Sequence, residues 1–173
     1  MKNTPKATAK KATRPPSKRY YFAYGSNTNL DQMSHRCPGA KPIASVMLNN
    51  YTLGFNGKSN GWGVANVRRR NGSAVQGVLW EIAPECERSL DVYEGFPALY
   101  TKKNVTVTTD DGTPYKAMMY VMTKKYCEPA IPSKQYYKGI CEGFRQNALP
   151  LCSLEIALDE TYDKIELIGG RAI

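Results

Sequence analysis

The sequence predicts an α+β fold, a small mixed and mostly antiparallel β-barrel with helices packed around it. Strand-like segments recur early in the chain between short turns rich in Asn and Gly, which favours hairpins over alternating strands and helices. Helical patterns stand between and after these segments, without an internal repeat. With 173 residues, the chain is long enough for one domain with a substantial core.

The strands are predicted from apolar runs that end at turn residues. The first covers residues 20–24, and Gly25 begins the break after it. Residues 110–113 (Asp-Asp-Gly-Thr) are typical of a hairpin turn between two later strands. The remaining predicted strands cover residues 43–48, 51–55, 62–67, 74–82, 104–109 and 115–122.

Four helices are predicted from apolar spacing and from residues that start or stop helices. The second begins with Pro84 and carries an apolar stripe at positions i, i+4 and i+7 before Gly95 stops it. The third follows a Ser cap after Pro132. The four helices cover residues 29–36, 84–93, 133–147 and 153–162.

The excess of basic residues is concentrated at the N-terminus. The chain has 24 Lys and Arg residues against 15 Asp and Glu residues, a net charge of +9. Seven of the bases and none of the acids lie in residues 1–19, which lack an apolar face and include two adjacent prolines. We therefore predict a disordered basic tail over residues 1–19 and a nearly neutral domain over residues 20–173. Nucleic-acid binding is disfavoured for the domain and left to the tail alone.

Composition excludes several other classes. No apolar run approaches the roughly 18 residues that a membrane span needs, so no membrane partner is expected. The tail lacks the apolar core of a secretory signal. Five cysteines without a closely spaced pair, and a single His, indicate neither a disulfide framework nor a metal site. We expect free thiols, no metal and a cytoplasmic location.

Two segments resemble nucleotide-binding or nucleic-acid-binding motifs without meeting their requirements. Residues 57–59 (Gly-Lys-Ser) resemble the end of a phosphate-binding loop, but Thr52 stands where that loop requires Gly. Residues 68–70 are three arginines directly before Asn71 and Gly72. We expect these arginines at a solvated strand end beside a tight turn.

Residues 24–27 (Tyr-Gly-Ser-Asn) form the sharpest local signal, because a strand ends there in small residues just before a helix. Backbone N–H groups converge at such a turn, and the helix N-terminus adds partial positive charge, which suits a carboxylate or a developing oxyanion. Gly25 permits close backbone approach, while Ser26 and Asn27 add side-chain donors. An ordinary strand-to-helix turn explains the same residues equally well.

Glu94 is the candidate for proton transfer. It lies four residues after Leu90 on the apolar stripe and at the helix C-terminus, where burial and the helix dipole both raise the pKa of a carboxyl group. A frayed last turn with Glu94 in water is the alternative. Asp91 is expected to be a solvated surface charge. Several tyrosines could hold a substrate through their hydroxyls or simply fill the core: Tyr100, Tyr120, Tyr136 and Tyr137.

Three blocks of the chain resemble the gamma-glutamylcyclotransferase family, in the family's order and spacing. Residues 21–27 resemble its substrate loop, residues 90–95 with Tyr100 its catalytic-glutamate segment, and residues 132–150 the helix that places a tyrosine at the substrate. The resemblance implies a small mixed barrel, often a homodimer, that acts without metal or cofactor on a small-molecule gamma-glutamyl substrate. The reaction would release 5-oxoproline and a free amine, with the substrate's own amino group as nucleophile.

The resemblance also implies roles for the matched residues. Glu94 would act as general base and then as general acid, while the backbone of Gly25 and Ser26 would hold the glutamyl end and the oxyanion. Thr28 departs from the family, which commonly has Leu or Met there, so the apolar anchor would shift to Leu30. The substrate-binding residues would be Tyr21, Phe22, Ala23, Tyr24, Gly25, Ser26, Asn27, Tyr100, Tyr120 and Tyr136.

Two alternatives stay open at this point. Within the same fold, the substrate could be a gamma-glutamyl amine, such as a gamma-glutamyl group on a lysine side chain, or a gamma-glutamyl-protected metabolite. In another class, the protein could be a non-catalytic binding module whose basic tail contacts nucleic acid.

Overall fold

The computed structural model describes residues 18–57 and 61–169. Each of the four predicted helices is present, and single 3-10 turns lie at Ser26–Thr28 and Lys124–Tyr126. The elements of the described chain are β1 (Arg19–Ala23), α1 (Leu30–Arg36), β2 (Lys41–Gly57), β3 (Val64–Ile82), α2 (Pro84–Tyr93), β4 (Tyr100–Thr108), β5 (Pro114–Met122), β6 (Glu128–Pro129), α3 (Lys134–Gln146) and α4 (Cys152–Gly169).

Five strands close into a barrel. β1 pairs antiparallel with β3 and parallel with β5. β5 pairs with β4, β4 with β2, and β2 with β3, all antiparallel, while β6 adds a short edge to β2. One parallel pairing among antiparallel ones confirms the predicted mixed, mostly antiparallel barrel with surrounding helices.

Large apolar side chains fill the core between the barrel and the helices. Burying each such side chain stabilises the fold by about 1.5–3 kcal/mol. Those that are less than 2% exposed include Phe22, Met33, Phe55, Leu79, Leu90, Met119, Ile140, Phe144 and Leu154.

The chain runs straight through two sites where we predicted strand breaks, so the four predicted strands between residues 43 and 82 are two long ones, β2 and β3. Asn50 of β2 lies opposite four residues of β3, 70–73, which form an enlarged β-bulge. Asn50 (φ 62°) and Gly72 (φ 79°) are left-handed, and the Gly72 N–H donates to Asn50 Oδ1 at 3.2 Å. These turn-forming residues build a bulge instead of a reversal.

The arginines at residues 68–70 are exposed to solvent, as we expected, but they do not lie at a strand end, because β3 continues to Ile82. Arg68 and Arg70 lie 3.7 and 2.5 Å from the Glu160 carboxylate. Glu160 belongs to α4, which extends seven residues beyond its predicted end at residue 162 and packs against β2. Arg69 lies 5.7 Å from the centre of the Tyr51 ring. The side chains of Arg68 and Arg70 remain 56% and 51% exposed, so these ion pairs lie at the surface.

Residues 1–17 lie outside the described residues, so the disordered tail stays a prediction for them. The described chain begins within the segment that we assigned to the tail, since Arg19 opens β1 and pairs with Glu87 at 2.6 Å, and Lys18 lies 3.0 Å from Glu81. Lys58 and Ser59 of the loop-like motif also lie outside the described residues. None of the described helices has the length and apolar character to span a membrane.

Two glycines bring α3 against the turn that follows β1. A Cβ atom on Gly143 would lie 2.5 Å from both Thr28 Oγ1 and the Asn29 nitrogen. Asn29 Nδ2 donates to the Gly139 carbonyl at 3.0 Å, and Asn147 Nδ2 donates to the Thr28 carbonyl at 2.8 Å. The helix therefore fixes the position of the turn.

We expect Gly143→Ala to destabilise the protein. In an ordinary helix interior this change would stabilise by about 1 kcal/mol. Here the methyl group overlaps Thr28, so we expect a loss of about 1–3 kcal/mol in the free energy of unfolding, measured by urea denaturation.

Gly54→Ala is the control, because a Cβ atom there meets nothing within 4 Å. It should leave stability equal or slightly higher. Wild-type stability of Gly143→Ala would mean that α3 does not rest on the turn.

Candidate active site

A pocket opens where β1 ends and α2 ends. Nine of the eleven predicted site residues line it, together with Ala65 of β3, which the sequence did not indicate. The lining residues are Tyr21, Tyr24, Gly25, Ser26, Asn27, Ala65, Glu94, Tyr100, Tyr120 and Tyr136.

Phe22 and Ala23 are the two predicted site residues that do not line the pocket. Both are fully buried in the core. Ala23 pairs with Val78 across the β1–β3 ladder, and the Phe22 ring packs 6.0 Å from the Tyr24 ring. Successive side chains of a strand point to opposite sides, so the Phe22 side chain points away from the side of β1 that carries Tyr21.

The turn after β1 is held by its own hydrogen bonds and by the barrel. The Thr28 N–H and hydroxyl both donate to the Gly25 carbonyl, at 3.0 and 2.8 Å. Trp80 Nε1 donates to the Asn27 carbonyl at 3.1 Å. A Cβ atom on Gly25 would lie 2.9 Å from Ala65 Cβ and 3.6 Å from the Tyr136 hydroxyl, so only Gly leaves room for this approach.

Thr28, where the family commonly has Leu or Met, is fully buried and tied into this turn. Leu30 packs against the core as a partly buried residue. The structure therefore gives Thr28 a hydrogen-bonding role, and Leu30 remains the candidate apolar anchor.

Asn27 joins this turn to Glu94. Its Nδ2 group donates to Glu94 Oε1 at 2.8 Å and to the Tyr21 hydroxyl at 2.9 Å. Glu94 follows the last residue of α2, and its N–H donates to the Leu90 carbonyl at 2.8 Å. The last turn is thus closed, and the carboxylate faces the pocket instead of water.

Burial raises the pKa of Glu94 from its ordinary value of 4.5 to about 7. The Arg36 charge and the Asn27 hydrogen bond act in the opposite direction and lower it. The result is a carboxyl group that can both accept and release a proton near neutral pH.

Neutral hydroxyls form the rest of the pocket wall. Tyr24 OH donates to the Tyr120 carbonyl at 2.6 Å, and Tyr100 OH donates to the Ala65 carbonyl at 2.7 Å. The Ala65 N–H donates to the Tyr136 hydroxyl at 3.0 Å. Burial raises the pKa of Tyr24 and Tyr100 well above the usual value, so these groups remain protonated.

Asp91 is not the solvated surface charge that we expected. The Tyr120 hydroxyl donates to Asp91 Oδ1 at 2.6 Å, and Lys102 Nζ lies 2.8 Å from the same oxygen. Lys102 also pairs with Glu87 at 2.6 Å. The flank of α2 that carries Asp91 faces β4 and β5, so the carboxylate has partners on both strands.

Arg36 and Tyr93 are site neighbours that the sequence did not indicate. Arg36 Nη1 donates to Asn27 Oδ1 at 2.6 Å and to Ser26 Oγ at 3.1 Å. The guanidinium lies 3.8 Å from the centre of the Tyr93 ring. Its place in the last turn of α1 is an ordinary position for a base beside the helix dipole, so no sequence signal singled it out.

All five cysteines are free thiols. Within residues 18–57 and 61–169, no group of three His, Cys, Asp or Glu side chains is arranged to hold a metal ion.

Known proteins of one family are similar to this chain in sequence. The family model described as gamma-glutamyl cyclotransferase, AIG2-like matches residues 21–138, a range that includes every pocket-lining residue. Human and bovine proteins named gamma-glutamylcyclotransferase are both 37% identical to it, over 139 and 138 residues. Each match covers 76% of this chain and 72% of the relative.

Solved structures agree with the sequence relatives. A structure of a gamma-glutamyl cyclotransferase superposes with a TM-score of 0.73 at 33% identity, over 82% of this chain and 86% of that one. A yeast gamma-glutamyl cyclotransferase specific to glutathione has a TM-score of 0.61 at 14% identity, over 86% of this chain and 96% of that one, which is a likeness of fold. The chain therefore belongs to the gamma-glutamyl cyclotransferase, AIG2-like family.

Proposed function

We propose that the protein is a gamma-glutamylcyclotransferase that converts a gamma-glutamyl amino acid, or a related gamma-glutamyl amide, to 5-oxoproline and a free amine. The observation that carries this proposal is the Glu94 carboxyl group, whose pKa is raised to about 7 and which Asn27 holds at a tyrosine-lined pocket. The human and bovine relatives that carry this name support the same activity.

The reaction needs only a folded substrate and one group that moves a proton. The substrate's α-amino nitrogen attacks its own γ-carbonyl carbon, forming the C–N bond of the five-membered ring. The original amide C–N bond breaks, and the two protons that the ammonium nitrogen loses in becoming the lactam N–H both end on the leaving nitrogen, which departs as an ammonium ion. No atom is added from water or from a cofactor, so the proposed chemistry calls for neither a metal nor a cofactor.

Glu94 serves both proton transfers. As a carboxylate it accepts the proton of the α-ammonium group, which frees the nitrogen lone pair for attack. As the neutral acid it then returns that proton to the leaving nitrogen, and the carboxylate that this restores carries the second proton in the same way. A carboxyl group with a pKa of about 7 is balanced between these two forms at neutral pH.

The turn after β1 and the tyrosine hydroxyls bind and fold the substrate. We assign the backbone of Gly25 and Ser26 to the glutamyl end and to the oxyanion of the tetrahedral intermediate. Holding the chain in a folded conformation makes the attack intramolecular, which contributes a large part of the rate. The predicted contacts of Phe22 and Ala23 are indirect in this proposal, because their side chains pack behind the pocket.

Three further properties are proposed with this activity. A homodimer follows from the resemblance to the family. A cytoplasmic location follows from the cysteine usage, because five free thiols suit a reducing compartment. The intramolecular reaction requires no partner other than the small gamma-glutamyl substrate.

Purified protein should release 5-oxoproline from gamma-glutamyl-alanine, and Glu94→Gln should abolish this. Losing the proton carrier should lower kcat by about 10²–10⁴-fold while the circular dichroism spectrum stays close to wild type and the Tm is not lowered. Glu85→Gln is the matched control, because Glu85 lies on the same helix with its side chain 68% exposed.

A panel with gamma-glutamyl-lysine isomers and glutathione identifies the preferred leaving amine. Full activity of Glu94→Gln would remove Glu94 from the mechanism. Release of no 5-oxoproline from any member of the panel would contradict the proposed function and favour a binding module.

The pH dependence of kcat/KM should report Glu94. The free enzyme needs the carboxylate form, so kcat/KM should fall as the pH drops through about 7, the pKa of Glu94. Initial rates with gamma-glutamyl-alanine between pH 5 and 9 measure this. An acid limb centred near pH 4.5 would contradict the proposed environment of Glu94.

The free energy of unfolding should also depend on the protonation of Glu94. It should fall as the pH rises, whereas an ordinary paired carboxylate makes it increase with pH. Since the pKa of Glu94 is about 7 in the folded protein and 4.5 ordinarily, its protonation favours the folded state. This contribution is fully present below about pH 4.5 and is lost as the pH rises through about 7. Glu94→Gln should therefore have a free energy of unfolding that is roughly 3 kcal/mol higher than that of wild type at pH 8 and equal to it at pH 4. A constant difference across this range in urea denaturation would refute the assignment.

A further inference from the structure

Arg36 contacts the candidate site without lining the pocket. Its Nη1 group donates to Asn27 Oδ1 at 2.6 Å and to Ser26 Oγ at 3.1 Å. Its Nη2 group donates to Gln32 Oε1 at 2.6 Å, one turn earlier on α1. Within the described residues, no carboxylate lies within ion-pair distance of Arg36, so its donors are directed at these neutral oxygens.

The contact with Asn27 decides which way the Asn27 amide faces. An arginine has five N–H donors and no acceptor, so only the oxygen of the amide can face it. The nitrogen must then face the other side, where Glu94 Oε1 and the Tyr21 hydroxyl both lie within 2.9 Å of Asn27 Nδ2. A reversed amide would place its oxygen against the Glu94 carboxylate, with two acceptors facing each other.

We propose that Arg36 is a positioning residue that fixes the amide of Asn27 with its nitrogen toward Glu94 and Tyr21. This inference rests on the proposed function for its effect on catalysis, but the geometry itself does not. Because the Tyr21 hydroxyl accepts from Asn27, its own proton points elsewhere and is available to a substrate atom. Arg36 thereby sets the donor and acceptor pattern at one wall of the pocket.

Tyr93 and Gln32 hold the guanidinium in this position. The Arg36 guanidinium lies 3.8 Å from the Tyr93 ring centre, within the range of a cation–π contact. Tyr93 OH lies 3.3 Å from Ser26 Oγ, the second acceptor of Arg36. Arg36 is therefore held between a ring on one face and hydrogen bonds at its edge, which a flexible lysine ammonium cannot reproduce.

The charged and titratable groups around Glu94 come from several elements. Arg36 is the cation that lowers the pKa of Glu94. Tyrosine hydroxyls that interact electrostatically with Glu94 come from β1, the turn after it, β4, β5 and α3, and belong to Tyr21, Tyr24, Tyr100, Tyr120 and Tyr136. Loss of Arg36 therefore leaves Glu94 among neutral groups, with Asn27 free to turn.

A double-mutant cycle with Arg36→Met and Asn27→Ala tests the proposal. Each single variant should lower kcat by about 10–100-fold with a smaller change in KM. If Arg36 acts through Asn27, the double variant should be no worse than the worse single variant. A double variant whose loss equals the product of the two single losses would overturn the proposal.

Two further variants separate positioning from loss of fold. Arg36→Lys keeps the charge and a donor-only group but not the planar fork, so it should recover part of the lost kcat. Arg88→Met is the control for removal of an arginine, because Arg88 lies on the surface of α2 with its side chain 69% exposed, and it should keep wild-type rates. Far-UV circular dichroism and Tm verify that all variants fold.

A titration of Glu94 tests the same inference without any substrate. Protein labelled with [5-¹³C]glutamate gives a carboxyl resonance that Glu94→Gln identifies by its absence. With Asn27 present, Arg36→Met should raise the pH midpoint of the Glu94 titration by about one unit. In the Asn27→Ala variant, the same substitution should raise it by clearly less. Equal displacement in both backgrounds would show that Arg36 acts by charge alone and would overturn the proposal. If wild-type protein releases no 5-oxoproline, the proposed function fails and this titration still decides the role of Arg36.

Discussion

The hydrogen bond from Asn27 to Glu94 is the contact on which the site depends, because it joins two segments 67 residues apart in the chain. Neither segment can place its functional group alone. Asn27 stands on a turn that Trp80 and α3 hold against the barrel. Glu94 stands at the end of α2, which no short stretch of chain joins to that turn. The rest of the fold serves to keep the ends of β1 and α2 within hydrogen-bond distance.

The side of α2 that faces the barrel is held there by charged groups as well as by apolar packing. Glu87 accepts from Arg19 of β1 and Lys102 of β4, while Asp91 accepts from Lys102 and from Tyr120 of β5. These pairs are partly buried and share Lys102, so they act as a network in which loss of one member leaves the others uncompensated. The network couples the position of α2, and hence of Glu94, to the Tyr120 wall of the pocket.

Local patterns were enough to predict the elements that carry the site, whereas long-range partners were not. Pro84 and the apolar stripe predicted α2 with its observed bounds, and so placed Glu94 at a helix end. Asn50 and Gly72 were read as reversals because the same left-handed residues serve a turn or a bulge, and only the opposite strand decides which. Asp91 and Arg36 have no local signal, since their partners lie on elements distant in sequence.

The pKa of Glu94 results from two opposing effects, since burial raises it while a positive charge and a hydrogen bond lower it. Burial in an uncharged, tyrosine-lined pocket would keep the carboxyl group protonated and unable to accept a proton from an ammonium group. A full ion pair with a nearby cation would keep it ionised and unable to return that proton. Arg36 makes no salt bridge with Glu94 but lowers its pKa through its charge, and the Asn27 amide lowers it further by donating a hydrogen bond. The Arg36 charge and the Asn27 hydrogen bond together offset part of the effect of burial, which keeps both protonation states of Glu94 accessible near neutral pH.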